Sequence, residues 1–388
     1  NTALGYQAGT AVTTGSENTL IGYNSGKALT TGTRITLVGR STMYGNGDTE
    51  NDNIGIGYVA LGGSIAGGEY NVAIGNYALE NITSGDNVVA IGHEAGQAIT
   101  SHNSDVLIGY QAGKALSTGD DGVIAIGYQA GLALTTCSSS VFIGKNAGDG
   151  HDTEDHNIGI GRHALGGSVA GGEYNVAIGS YNLDALTSGD SNTAVGYNTM
   201  TNITSGANNT AVGYNCMGDI DTGSGNINVG DASTNGANTN HSIVIGQAAS
   251  GKGSNTGFIS PNGGAVYQGN NSSSWSTTSD RRIKKNIVDN KTGLEKINKI
   301  KVRNFEYRLP EEITDVPSHA AIKKEGVQVG AIAQEIQEVL PDTVVQTTHG
   351  VYSVNPDNIT WYLVNAVQEL SAQVTTLQEE INTLKEGK

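Results

Sequence analysis

Proline is almost absent from this chain of 388 residues, which contains five, none of them before Pro261. Because proline has no backbone N–H group to donate, it is excluded from the interior of most sheets. So long a stretch without proline favours a structure in which most backbone N–H groups join hydrogen-bonded ladders.

Cysteine is scarcer still. Cys137 and Cys216 are the only two, and they lie far apart, in different sequence units, with no metal or redox spacing. This spacing argues against a disulfide framework, and we expect two reduced thiols. The eight histidines are scattered without the spacing of metal ligands, so we predict no metal site and no cofactor.

Basic residues are few: 21 against 37 acidic residues, and residues 1–278 contain only 7 basic against 21 acidic. A surface of that sign repels phosphate groups, which disfavours nucleic acid and membrane surfaces as partners. No apolar run approaches the roughly 18 residues of a membrane span, so no membrane insertion is expected. The chain opens at Asn1 without a methionine, and we expect it to be a piece of a longer protein.

Glycine, in contrast, is abundant, and 51 of the 56 glycines precede Ser279. A glycine ends a short apolar run every 16 to 18 residues, and a block of six such units recurs 104 residues later. A unit of this size has room for one or two strands of about five residues and cannot close its own core, so the units must stack as a solenoid. The fifteen glycines are Gly5, Gly22, Gly39, Gly57, Gly75, Gly92, Gly109, Gly127, Gly144, Gly161, Gly179, Gly196, Gly213, Gly230 and Gly246.

Three further features recur in each unit. The strands alternate in side-chain size, as in Val72, Ala73 and Ile74, so that one face is bulkier. Triplets such as the one ending at Gly85 predict turns at which glycine adopts a positive φ. Asn lies four residues before the glycine in nine units and Tyr follows it in seven, which predicts an Asn ladder and a stacked Tyr row. A Tyr row that contacts carbohydrate is the functional alternative.

The repeat resembles the head repeats of trimeric autotransporter adhesins and the shafts of phage fibres, which share short N-x-A-I-G strands. The resemblance covers residues 1–250 and implies an elongated trimeric β-repeat shaft. Residues 251–278, where the pattern decays into S-N-T-G and N-N-S-S-S, are predicted to be a linker or adaptor.

Residues 279–388 have a different pattern, which predicts mixed helices and strands. Ile332, Ile336, Val339 and Leu340 form one helical stripe that Pro341 ends. A heptad seam follows within a predicted coiled coil at about 360–386. In coiled-coil peptides, β-branched and Leu residues at these alternating positions favour dimers. We nevertheless expect three chains, because the shaft sets the symmetry. The seam residues are Leu363, Val367, Leu370, Val374, Leu377, Ile381 and Leu384.

A hydroxyl and two amines lie close together in the string S-D-R-R-I-K-K-N-I, from Ser279 to Ile287. Ser–Lys dyads are known pairs of nucleophile and base, although a Ser with a Lys five residues later is common on solvated strands. Positions five apart share a face on neither a strand nor a helix, so Ser279 and Lys284 of one chain meet only across a bend. Lys285 fits strand geometry better, and a dyad completed between chains is equally possible.

Three ordered motifs resemble the intramolecular chaperone auto-processing domain of phage tailspikes and fibres: S-D-R-R-I-K-K-N-I, G-A-I-A-Q-E-I-Q-E-V-L-P from Gly330, and Y-S-V-N-P-D-N-I-T-W-Y-L-V-N-A-V-Q-E-L from Tyr352. The resemblance spans residues 279–388. It implies Ser279 as nucleophile, Lys284 as base and Thr278–Ser279 as the scissile bond. The segment that often reads V-D-Y-S in relatives is V-Y-S-V here, so a local loop differs.

Acidic residues recur in two loops, Asp48, Glu50 and Asp52 in the first block and Asp152, Glu154 and Asp155 in the second. Such clusters hold calcium in some proteins, but the ligand order of a known calcium loop is missing, and solvated turns are the preferred interpretation.

Together with the two resemblances, these patterns lead us to expect a mainly β protein, an elongated homotrimeric β-repeat shaft with a C-terminal mixed α/β chaperone domain ending in a coiled-coil helix. The predicted function is host attachment as part of a phage tail fibre or tailspike, with autoproteolysis by the chaperone. Expected partners are two further copies, a host surface receptor of glycan or outer-membrane type and other tail proteins, in a virion assembled in the host cytoplasm. A bacterial trimeric adhesin without self-processing is the alternative, and a polysaccharide-degrading tailspike is a third.

Overall fold

One short strand per sequence unit builds the N-terminal part of the chain. The structure is a computed structural model that describes residues 1–45, 50–118, 121–167, 171–260, 266–268, 279, 281–313, 324–346 and 350–387. It divides into two compact units, Asn1–Ser279 and Asp280–Lys388.

The first unit is a β-solenoid, which confirms the predicted fold class. Its strands are β1 (Thr2–Leu4), β2 (Thr19–Ile21), β3 (Thr36–Val38), β4 (Ile54–Ile56), β5 (Val72–Ile74), β6 (Val89–Ile91), β7 (Val106–Ile108), β8 (Ile124–Ile126), β9 (Val141–Ile143), β10 (Ile158–Ile160), β11 (Val176–Ile178), β12 (Thr193–Tyr197), β13 (Thr210–Tyr214), β14 (Ile227–Val229), β15 (Ile243–Ile245), β16 (Gly257–Ile259) and β17 (Val266–Gln268).

Strands β1 to β16 form a single parallel ladder in which each strand pairs with the next and equivalent residues face each other, Ala73 opposite Ala90 for example. Each unit contributes one strand, and most strands have three residues rather than about five, because the rest of each coil is turn. The ladder continues past the fifteenth unit into residues 251–278 through β16, which pairs with β15, and β17 then pairs with β16 in the antiparallel sense.

The core of the solenoid consists of the central residue of each strand together with aliphatic residues from the turns. Leu107, Ala125 and Phe142, from three successive strands, are all fully buried. The bulkier residues on either side of the central one, such as Val72 and Ile74, lie on the outer face and are half-buried. In strands with a small central residue, such as β5, the larger face therefore points away from the core of its own chain.

The glycine that follows each strand is required by close packing between coils. Gly92 has a φ of 141°, and a Cβ added there would lie 2.2 Å from the carbonyl oxygen of Gly109. At the triplet turns the prediction of positive φ for glycine is wrong. Gly85 is needed because a Cβ would lie 2.3 Å from the carbonyl oxygen of His102, and the positive φ of that turn, 59°, belongs to Asn87.

The predicted Asn ladder is confirmed, and it bonds mainly to the backbone. Asn18 is buried; its Nδ2 donates to the carbonyl oxygen of Gly32 at 2.8 Å, and its Oδ1 accepts from the backbone N–H of Ile35 at 2.9 Å. Direct amide-to-amide bonds occur along Asn175, Asn192, Asn209 and Asn226, at 3.0 to 3.2 Å. The row thus satisfies polar backbone groups inside the stack.

The second unit folds around its own small core, in which Ile336, Leu340 and Tyr362 are buried. The predicted burial of one helical stripe is confirmed for Ile336, Val339 and Leu340. Ile332 instead occupies the N-cap position just before the helix and is 37% exposed. Its elements are α1 (Leu294–Ile297), β18 (Arg303–Phe305), β19 (Gln328–Gly330), α2 (Ala333–Val339), β20 (Val344–Gln346), β21 (Tyr352–Val354) and α3 (Pro356–Glu386), with 3₁₀ turns at Arg281–Ile283, Pro310–Glu312 and Pro341–Thr343; β18 pairs with β19 and β20 with β21, both antiparallel.

Removing one amide from the ladder tests its role. Asn192→Ala leaves the carbonyl of Gly206 and the backbone N–H of Asn209 without their partners inside the stack, at a cost of about 1–3 kcal/mol. We expect the Asn209 amide to exchange its hydrogen about 5- to 100-fold faster, measured by hydrogen–deuterium exchange. Thr193→Ala, in the same coil but half-buried on the outer face, is the control. An unchanged rate at Asn209 would contradict the role of the ladder.

Candidate functional site

Ser279, the predicted nucleophile, is the last residue of the first unit, and Lys284, the predicted base, lies five residues later, near the start of the second. Both residues are exposed. The 3₁₀ turn at Arg281–Ile283 lies between them, and the backbone N–H of Lys284 donates to the carbonyl oxygen of Arg281 at 3.2 Å. The chain therefore bends between Ser279 and Lys284. A bend is what these two side chains require in order to meet within one chain. Thr278, on the other side of the predicted scissile bond, lies outside the described residues.

The segment that carries these residues makes little use of the core of its own unit. Every residue from 281 to 290 is exposed, among them three aliphatic side chains, Ile283 at 70%, Ile287 at 59% and Val288 at 85%. Aliphatic residues of this size are ordinarily covered, and burial of each stabilises a structure by about 1.5–3 kcal/mol. These side chains gain no such stabilisation within a single chain.

Two residues of α3 fasten the chain just after this segment. The Asn365 side-chain amide donates to the carbonyl oxygens of Asn290 and Thr292, both at 3.0 Å. The Glu369 carboxylate accepts from the backbone N–H of Leu294 at 2.9 Å, at the first turn of α1. These bonds hold residues 290–294 against α3, and they fix the position at which the exposed segment 281–290 ends.

The base of α3 is held by polar contacts of its own. Asn355 caps the helix by accepting from the backbone N–H of Asp357 at 3.0 Å. The Tyr362 hydroxyl donates a hydrogen bond to the Asp342 carboxylate, which raises the pKa of Tyr362 above its ordinary value, with burial adding to the effect. Asn358 donates to the same carboxylate at 3.2 Å. The first turns of α3 are thereby fixed to the 3₁₀ turn that follows α2.

The heptad seam lies on the part of the second unit that its own core leaves uncovered. Seven aliphatic residues line one stripe of α3, and their exposed fractions range from 44% for Ile381 to 73% for Leu384. Beyond Ala366 no residue of α3 is buried in the described part of the unit. A helix with such a seam is stabilised by other helices that pack against it.

In the solenoid, the predicted Tyr row is confirmed as a stack. Tyr110 and Tyr128 lie 5.2 Å apart between ring centroids at an interplanar angle of 12°, and Tyr197 and Tyr214 lie 5.5 Å apart at 9°. Arg40 fills a gap in the row, 5.6 Å and 5.7 Å from two Tyr rings. Where two rings stack in this way, the faces that they share are not open to the stacking of a sugar ring.

The carboxylates of the acidic loops mostly serve the backbone. Glu154 accepts from the backbone N–H groups of Gly171 at 2.8 Å and Asp152 at 3.1 Å, and Asp155 accepts from Ser138 at 2.7 Å. Asp52 pairs with Arg34 at 2.6 Å, while Asp48 lies outside the described residues. Among the described residues, no group of three or more His, Cys, Asp or Glu side chains could hold a metal ion.

Both cysteine thiols and two histidines, His102 and His151, are buried inside the solenoid. Burial raises the pKa of Cys137 to about 12 and also raises that of Cys216, which disfavours the reactive thiolate. Burial lowers the pKa of His151 to about 4, so its imidazole is neutral near pH 7.

In the described part of the chain, no helix is long and apolar enough to cross a membrane.

Comparison with known proteins places a recognised domain at the position of this site. Residues 279–345 match the family model Peptidase_S74, described as chaperone of endosialidase. The match begins at Ser279 and covers less than a fifth of the chain, and no curated protein and no solved structure matches. The family is one of self-cleaving intramolecular chaperones, and such a domain after a β-solenoid fits a tail fibre or tailspike. It points to a trimerisation chaperone of a tail-fibre-like protein.

The residues that sequence reasoning missed are those that anchor the segment, Asn365, Glu369 and Asp342. Asn365 stands within the third motif, but nothing in its spacing shows that its partners lie more than seventy residues earlier. Only the packing of residues 290–294 against α3 brings these groups together.

Asn365→Ala removes two hydrogen bonds that hold the chain after the candidate site, worth about 1–3 kcal/mol together. We expect slower cleavage before Ser279, by about tenfold, with normal assembly, measured by mass spectrometry of timed samples. Gln368→Ala, an exposed residue three positions further along α3, is the control and should cleave at the parent rate. Equal rates in both variants would show that the anchor does not position the site.

Proposed function

We propose that this chain is part of a homotrimeric tail fibre or tailspike that attaches a phage to its host. Its C-terminal unit directs the assembly of three chains and then separates from the shaft by cutting the bond between Thr278 and Ser279. It acts as a self-cleaving serine endopeptidase of single turnover, with no activity on other substrates.

The observation that carries the proposal is the exposed heptad seam of α3 in a unit whose neighbouring residues match the chaperone family. Seven aliphatic residues at alternating spacings of four and three bury their side chains only against the helices of other copies. We therefore assign to the second unit, as its first role, the assembly of the chains through this seam.

Ser–Lys chemistry accounts for the cleavage in two steps, the formation of an ester and its hydrolysis. The Ser279 Oγ attacks the Thr278 carbonyl carbon and transfers its proton to the Lys284 Nζ. The C–N bond breaks, the Ser279 nitrogen takes a proton and becomes a free amine, and an ester joins Thr278 to the Ser279 oxygen. Water then hydrolyses the ester, which yields a carboxylate at Thr278 and restores the hydroxyl of Ser279.

Assembly and cleavage are coupled through burial. A lysine serves as a general base when burial or neighbouring cations disfavour its charged form. Arg281, Arg282 and Lys285 lie close to Lys284 in the sequence. Within one chain the segment 281–290 is exposed, and its aliphatic residues Ile283, Ile287 and Val288 keep 59% to 85% of their surface open. Contact with other copies supplies the missing cover, so the cut reports a completed trimer.

The remaining assignments rest on the same architecture. The shaft would contact a receptor on the host surface, a glycan or an outer-membrane component, and would join other tail proteins in a virion assembled in the host cytoplasm. A bacterial trimeric adhesin head without self-processing is the alternative, and its sequence would remain uncut.

The central test is the mass of the products. The intact chain should yield a shaft ending at Thr278 and a fragment starting at Ser279. Ser279→Ala removes the nucleophile and should give an uncut chain that still assembles. Lys284→Ala should slow the cut by at least about 100-fold, the usual contribution of a positioned base. Lys285→Ala, which removes the same charge one position later, should slow it by less than about tenfold.

Two outcomes would contradict this assignment. Efficient cutting in the Ser279→Ala chain, or cutting at another bond, would mean that a foreign protease is responsible. Loss of cutting in Lys285→Ala with full activity in Lys284→Ala would transfer the role of base to Lys285.

Disruption of the seam separates assembly from chemistry. Leu377→Asp introduces a charge into the seam, so trimerisation should fail and the uncut chain should accumulate although Ser279 and Lys284 are intact. Thr376→Asp adds the same charge one position away, outside the seam, and should cleave like the parent. Sedimentation velocity and mass spectrometry measure the two effects, and rapid cleavage of a monomeric Leu377→Asp chain would refute the coupling.

A further inference from the structure

Two rows of side chains run along the outer face of the solenoid, formed by the first and third residues of strands β1 to β16. The central residue of each strand points into the core, so its two neighbours point outward. The third residue is aliphatic in all sixteen strands, and the first is Val or Ile in ten of them, Thr in five and Gly in one. We call these positions the outer rows.

The outer rows remain partly open in a single chain. Ile178, Val212 and Ile245 are 41%, 40% and 38% exposed, although each is flanked by equivalent residues of the neighbouring coils. Sixteen strands spaced by about 4.8 Å make the strip about 75 Å long. Monomeric proteins seldom expose a continuous apolar patch of more than a few hundred Å².

Charge is excluded from this face. Residues 1–278 contain 21 acidic and 7 basic residues, yet none of these occupies a position of the outer rows. A face exposed only to water would tolerate charged residues and would gain solubility from them. Their absence over sixteen coils indicates that the face is covered.

We propose that the outer rows are the surface through which copies of this chain associate along the shaft, the rows of one copy packing on those of the others. The occupant must be apolar, extend over about 75 Å and repeat with the spacing of the strands. Another copy of the same solenoid meets all three conditions. This inference rests on the proposed homotrimer and assigns its interface.

The aromatic row borders the outer rows. In β12 the exposed Tyr197 follows the outer-row residue Val195 by two positions, with Gly196, whose φ is 138°, between them. Tyr and Arg are enriched at interfaces, and three of the seven basic residues of the shaft, Arg40, Lys145 and Arg162, lie over Tyr rings of this row. The outer rows would form the apolar centre of the contact and the aromatic row its rim.

A pair of charges in the outer rows tests the assignment. The double variant Ile126→Asp and Ile143→Asp alters adjacent strands, while the seam and the Ser279 segment are unchanged. We expect assembly through α3 and cleavage at the parent rate, after which the released shaft dissociates into single chains in sedimentation velocity. Leu132→Asp, at a half-buried aliphatic residue outside the strands, is the matched control and should leave the shaft trimeric. A trimeric shaft from the double variant would overturn the proposal.

Thiol protection provides a measurement that does not depend on an introduced charge. The native Cys137 and Cys216 are buried and stay unmodified in the folded shaft. The thiol introduced by Ile126→Cys should be alkylated at least about tenfold more slowly in the trimer than the thiol introduced by Leu132→Cys. Equal rates would overturn the proposed interface. A parent chain that remains uncut would contradict the proposed autoproteolysis alone, because protection is measured equally well in the uncut trimer.

Discussion

Each coil of the solenoid is too small to bury its own side chains, and every other feature of the shaft follows from this constraint. The core residues Leu107, Ala125 and Phe142 are covered because the coils above and below supply the missing neighbours. The same dependence governs polar groups, since Asn18 satisfies the backbone of the next coil and not that of its own. Stability of such a stack is a sum of contacts between neighbours, and it grows with the number of coils.

Close stacking also determines which residues are tolerated. Consecutive coils approach so closely after each strand that a Cβ at Gly92 would collide with the carbonyl oxygen of Gly109. Glycine is therefore repeated with the period of the coil. In-register pairing then aligns identical positions into rows, and a row that is aliphatic in one coil becomes an apolar strip over the whole stack. The interface that we propose is a consequence of this alignment.

A strip of this kind favours association but does not define register. In the proposed trimer, a slip by one coil would leave all but one of the sixteen strands opposite an equivalent strand. The C-terminal unit differs in this respect, because its heptad seam occurs once in the chain. Affinity along the shaft and register at its end would thus come from different surfaces, which gives a physical reason for a chaperone that acts first and is then removed.

Much of the architecture follows from the sequence by itself. The spacing of glycines predicts fifteen coils, the Asn and Tyr positions predict two ladders, and the alternation of Leu363 and Val367 with later residues predicts the seam, because each pattern is local and periodic. Only the tertiary structure decided the contacts between segments that are distant in the sequence. It decided that the first and third residues of each strand point outward, that glycine at position 85 avoids a clash between coils, and that Asn365 reaches Asn290 within the second unit. These depend on how separate segments approach one another, and periodicity within one segment contains no information about that.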